Sequence, residues 1–97
     1  MDVIINSMIY IITYEINDTV YDYTELFNAI KSIGKYQHPM PNIWFVSSSN
    51  TSPDEIASLL RSNFQSSHDH LYVMEVNSDS KRQGWLPRSF WAWLKNV

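Results

Sequence analysis

Ninety-seven residues make one domain and leave no room for a second core. A hydrophobic content of 44%, with 14% aromatic, excludes global disorder, and a net charge of −3 argues against a purely electrostatic grip on phosphates. The absence of cysteine excludes disulfides, thiolate zinc sites and cysteine nucleophiles, and fits a reducing compartment.

At the N-terminus, "MDVIINS" carries an acid where a secretory signal has its basic segment. No apolar run approaches the roughly 18 residues that a membrane span needs. The expected setting is therefore soluble and cytoplasmic, without a membrane partner. From Met8 to Ile16 the alternation puts Ile9, Ile11, Thr13 and Glu15 on one face, and Met8, Tyr10, Ile12, Tyr14 and Ile16 on the other. Both faces are largely apolar, the pattern of a central strand covered on both sides. "NDTVY" ends it with turn chemistry.

"DYTELFNAIKSIG" predicts a helix, with Asp22 as cap, Glu25 closing a capping box and Gly34 as a left-handed stop. Tyr23, Leu26, Phe27, Ile30 and Ile33 form its apolar stripe. In "KYQHPMPNIWFVSSS", Pro39 and Pro41 confine the first strand to a short edge piece and mark a hairpin turn before a better strand, Ile43 to Val46. "SPDEIASLLRSNF" is the clearest helix: Ser52 caps, Pro53 takes the first helical position and Glu55 closes the box. Ile56, Leu59, Leu60 and Phe64 line its inner face. "SSHDH" then reads as a loop, "LYVMEV" as a strand, and "GWLPRSFWAWLKNV" as a short aromatic helix from about Pro87.

The order strand, helix, strand, strand, helix, strand predicts an α+β, ferredoxin-like βαββαβ domain over residues 8–97. Its antiparallel sheet would run 4-1-3-2 with both helices on one face, followed by the short Trp-rich C-terminal helix. The other face needs a cover, supplied by the Trp segment, a second subunit or both.

Taken together, "YIITYEIN", "YTELFNAIKSIG", "IWFV", "SPDEIASLL" and "GWLPRSFWAWL" resemble the SinR-like proteins, small prokaryotic and phage proteins related to the compact CRISPR adaptation nucleases. The resemblance spans roughly Met8 to Leu94. It implies a symmetric homodimer associated with RNA or DNA, in which an acid ending the first strand binds a divalent metal at the dimer interface. In the relatives that position usually reads Tyr-Asp; here it is Tyr14-Glu15. Glu15 keeps the charge but moves it outward by a methylene, which works against the near-octahedral geometry that Mg²⁺ demands. The chemistry so implied is metal-dependent phosphodiester cleavage, with Glu15 as the catalytic residue and Mg or Mn as cofactor. Because the resemblance begins at Met8, residues 1–7 are expected to be an extension, with Met8 an alternative start.

Two constellations follow. The predicted antiparallel pairing brings His68, Asp69 and His70 toward Glu15, and His38 and Asp18 to the same end of the sheet. Imidazole with carboxylate suits Zn²⁺ or Mn²⁺, so Glu15, His68, Asp69 and His70 are the candidate metal ligands. The plainer alternative is that loop ends are polar anyway. The second constellation is the tail. Residues 1–79 hold ten acids against three bases, whereas residues 80–97 hold Lys81, Arg82, Arg88 and Lys95 and no acid. Lys81, Arg82 and Arg88 are candidate nucleic-acid contacts. Trp85, Phe90, Trp91 and Trp93 either stack on bases or, as tryptophan more often does, pack the sheet face or a dimer contact. The competing function is a non-catalytic module that binds a protein or a small nucleotide, such as a phage or defence-associated regulator.

Overall fold

A computed structural model of the chain describes residues 7–65, 67–77 and 79–97. The expected N-terminal extension lies outside these, apart from Ser7. Strand β1 (Met8–Glu15) leads to helix α1 (Thr24–Lys31), strands β2 (Lys35–Met40) and β3 (Ile43–Ser48), and helix α2 (Pro53–Leu60). A 3₁₀ turn over Arg61–Asn63, strand β4 (His70–Val76) and helix α3 (Arg88–Asn96) complete the chain. The sheet is antiparallel in the order β2-β3-β1-β4, the expected order read from the other edge and compatible with a ferredoxin-like arrangement.

The alternation in β1 has the predicted consequence. Tyr10, Ile12 and Tyr14 face inward and join Trp44 and Val46 of β3 with Leu26, Ile30, Ile56 and Leu60 from the two helices. All nine are buried. Burial of side chains of this size contributes about 1.5–3 kcal/mol each. Trp44 lies at the centre of this layer. Its Nε1 donates to the Tyr14 hydroxyl at 3.1 Å, which donates to the Pro41 carbonyl at 3.3 Å, so neither buried polar atom lacks a partner.

The outer face is covered in part. There α3 seats Phe90 and Leu94 on Ile9, with Phe45, Val76, Leu86, Trp91 and Trp93 packed around them. Phe90 meets Phe45 edge-on, with ring centroids 4.7 Å apart. Toward the Glu15 end of the same face, Met40, Tyr72 and Met74 remain 41%, 59% and 41% exposed. The predicted cover by the Trp segment is thus present but partial.

Three local expectations are corrected. Asp22 does not cap α1 through a box. Its Oδ1 accepts from Thr24 N, two residues on, so the helix starts later with Tyr23 at the cap and no side-chain bond there. Gly34 is not a left-handed stop, since no glycine has positive φ among the described residues. It is needed for close approach instead: a Cβ there would lie 2.0 Å from the Ser47 carbonyl oxygen. Finally, Leu59 is exposed although Ile56 and Leu60 are buried. Ile56, Leu60 and Phe64 follow the four-residue ridge that touches the sheet, and Leu59 falls beside it. The Ser52 cap and Pro53 at the start of helix α2 are as expected, with Ser52 Oγ accepting from Glu55 N at 3.2 Å.

Candidate functional site

The candidate residues lie where β1 ends. Glu15 stands directly opposite His70 in the β1–β4 ladder, one step beyond Tyr14–Leu71. Directly opposed residues share a face, with Cβ atoms about 4.5–5.5 Å apart. Both belong to the outer face, where Thr13 and Tyr72 form the next matching pair. The four border a shallow depression of about 320 Å³. Glu15 and His70 are both exposed.

The other expected ligands are placed differently. His68 and Asp69 border a separate polar cleft of about 770 Å³ with Asp18, Asp22 and Glu25. Asp69 works there as a latch: Oδ1 accepts from Asn17 N at 3.0 Å and Oδ2 from Gln65 N at 3.1 Å. The Asn17 side chain in turn donates to the His68 carbonyl, and His68 Nδ1 meets Ser67 Oγ at 3.1 Å. His38 lies on the opposite, inner face, stacked on Trp44 with centroids 3.8 Å apart, and its Nε2 lies 3.0 Å from the Pro41 carbonyl. Asp18 closes its own turn by accepting from Val20 N. The three histidines do gather at one end of the sheet, but two sides of the sheet and a loop divide them. Among the described residues no group of three or more His, Asp or Glu is placed to hold one ion. The four proposed ligands thus fall into two pairs on separate surfaces, Glu15 with His70 and His68 with Asp69.

The latch sets a pH dependence. The backbone N–H groups of Asn17 and then Gln65 hold the Asp69 carboxyl below the ordinary aspartate range. A depressed carboxylate pKa adds stability that is complete above the unfolded value and is lost as pH falls through the folded one. Protection of the Asn17 and Gln65 amides from hydrogen exchange should therefore hold down to roughly pH 4 and fall below it. Asp69→Asn should remove that dependence. Equal protection factors at pH 6 and pH 2 in the parent chain would count against the latch.

The tail separates into two parts. Phe90 is buried, and Trp91 and Trp93 are half-buried against the outer face, as packing requires. Trp85 is 94% exposed and makes no such contact. Lys81, Arg82 and Arg88 are exposed along the same segment, and Arg82 Nη1 donates to the Ser80 carbonyl at 3.5 Å.

Sequence reading missed Asn17 as the anchor of the histidine loop and the carboxylate cleft beside it. A polar residue just past a strand, facing a loop rich in acceptors and donors, is the only cue, and it is weak. It also missed the Trp44–Tyr14–Pro41 chain. There the signal was available, because a tyrosine on the inward face of β1 needs a partner for its hydroxyl.

No family model and no curated protein matches the chain. Among solved structures it is similar to the hypothetical protein TT1823 from Thermus thermophilus, at 18% identity and a TM-score of 0.63. The match covers 84% of this chain and 96% of that one. At that identity the likeness is one of fold.

Proposed function

We propose that this chain is a SinR-like, ferredoxin-fold protein that associates with nucleic acid as a homodimer, with Glu15 and His70 as one half of a divalent metal site. The observation that carries this reading is the Glu15–His70 pair at the end of the first strand, the position the resemblance marks. The apolar patch of Met40, Tyr72 and Met74 lies on the same outer face and suits a second copy. A two-fold axis across that face would bring two such pairs together. Close carboxylates repel, so a metal would keep both ionised. A carboxylate and an imidazole from each copy would suit Mn²⁺ better than Mg²⁺, which prefers oxygen alone. When bound, such an ion lowers the pKa of its water toward neutrality and so favours phosphodiester hydrolysis. What this chain itself supplies is the placement of the pair on a rigid strand rather than a loop.

The test is incubation of the purified protein with single- and double-stranded RNA and DNA in Mn²⁺ or Mg²⁺, beside Glu15→Ala. Replacing even an indirect partner of a metal ligand costs about 10–100-fold in activity, so cleavage should fall by at least that much. Equal cleavage by both proteins would overturn the assignment of Glu15. Sedimentation velocity checks the dimer separately.

A second reading has its own support. The cleft that contains Asp18, Asp22, Glu25 and Asp69 repels phosphate and favours a basic partner. Binding of a protein without any cleavage would establish this non-catalytic alternative.

A further inference from the structure

We propose that Trp85 is a stacking platform for the bases of a single-stranded nucleic acid, with the neighbouring cations of the tail meeting its phosphates. The inference rests on the nucleic-acid reading above and adds to it the class of strand and the residue that holds it.

The aromatic residues from Trp85 to Trp93 have unequal fates. Phe90 is buried, Trp91 and Trp93 pack beside it, and Trp85 alone of the four stays 94% exposed. An indole is a large apolar group with a flat π-face, and nearly complete exposure leaves that face open to a partner. The backbone that presents it is fixed on the C-terminal side. Leu86, the next residue, packs beside the Ile9–Phe90–Leu94 cluster, and its carbonyl accepts from Trp91 Nε1 at 3.1 Å. On the other side, a Cβ added at Gly84 would meet nothing within 4 Å, so the backbone just before the indole has open space beside it.

Charge selects the partner. No acidic side chain occurs after residue 79, and Lys81, Arg82 and Arg88 bracket the indole. An exposed aromatic ring between basic residues matches the stacking-and-phosphate pattern of single-strand binders, in which any base can serve because each has a π-face. A duplex fits less well. Its bases are already stacked, and a second strand would bring more phosphate toward a body with ten acids against three bases.

The test is fluorescence anisotropy with labelled oligothymidylate and oligouridylate of about 12 nucleotides, a length within the range of known single-strand site sizes, and with a duplex of equal length. The full chain is compared with Trp85→Ala, Trp85→Phe and the double change Lys81→Ser with Arg88→Ser. Trp85→Ala should weaken single-strand binding roughly 5- to 150-fold without lowering the melting temperature, and Trp85→Phe should retain most of the affinity. The double change should flatten the salt dependence by about 1.4 in slope, at 0.7 per phosphate contact. Equal binding by Trp85→Ala would overturn the stacking role and leave nucleic-acid association standing. Failure of the parent chain to bind any single strand at low salt would overturn both. Self-association that Trp85→Ala abolishes, without oligonucleotide binding, would assign the indole to a contact between copies and overturn the proposal.

Discussion

Trp44→Ala should destabilise the protein by about 3–5 kcal/mol, the range for emptying a fully buried aromatic site. Domains of this size are stable by roughly 5–15 kcal/mol, so the change removes a large share of the total. Three losses combine. The indole fills the middle of the inner layer at 1% exposure. It is the surface on which His38 stacks and against which Phe27 and Tyr36 pack, with centroids 3.8, 5.1 and 5.7 Å away. Its N–H also satisfies the buried Tyr14 hydroxyl. Trp44→Phe keeps a ring and gives up the N–H, so it should cost markedly less. Urea unfolding followed by circular dichroism reads both. A loss under about 1 kcal/mol for Trp44→Ala would mean that the centre of the core lies elsewhere.

Gly34→Ala should destabilise by about 1–3 kcal/mol, the range for forcing extra volume into a packed site. The sign is the informative part. Where the backbone accepts alanine, replacing glycine stabilises by about 0.4–1 kcal/mol through the unfolded chain. Here the added methyl would press on a backbone oxygen, and that backbone cannot easily move. Ser47 is held on both sides, opposite Ile9 in β1 and opposite Lys35 in β2. For a domain of this length each kcal/mol corresponds to about 4–8 °C in melting temperature, so a thermal scan resolves the outcome. A higher melting temperature for Gly34→Ala would refute the steric account.

These two residues also show where the sequence speaks and where it is silent. Trp44 lies in a strand that reads as core, and the face Tyr14 shares with Tyr10 and Ile12 follows from the period-two alternation of β1, though the bond between Tyr14 and Trp44 does not. Ser52, Pro53 and Glu55 announce α2 because capping chemistry is local and spans only three residues. Gly34 misleads because a glycine after a helix looks the same whether it is there for its dihedral freedom or for the neighbour it must clear. That neighbour is Ser47, thirteen positions away. The histidines fail for a related reason. Topology brings them to one end of the sheet, and the Glu15–His70 pairing follows from strand direction. His38 keeps the alternation of Tyr36, both rings packing on Trp44, whereas the register shift around Pro39 puts Met40 on the other face, a break that the sequence does not locate. Trp85 carries no periodic signal at all, so its exposure becomes visible only once its aromatic neighbours have found their places.

The order β2-β3-β1-β4 makes β2 and β4 the flanks of the sheet, and they are not equivalent. Pro39 withholds an amide from one flank, and the pairing beside it is irregular, a combination that discourages further growth there. The seven residues of β4 contain no such brake. Lateral extension of the sheet, whether by an incoming peptide or at the onset of fibril formation, is therefore directed to a single side of the molecule.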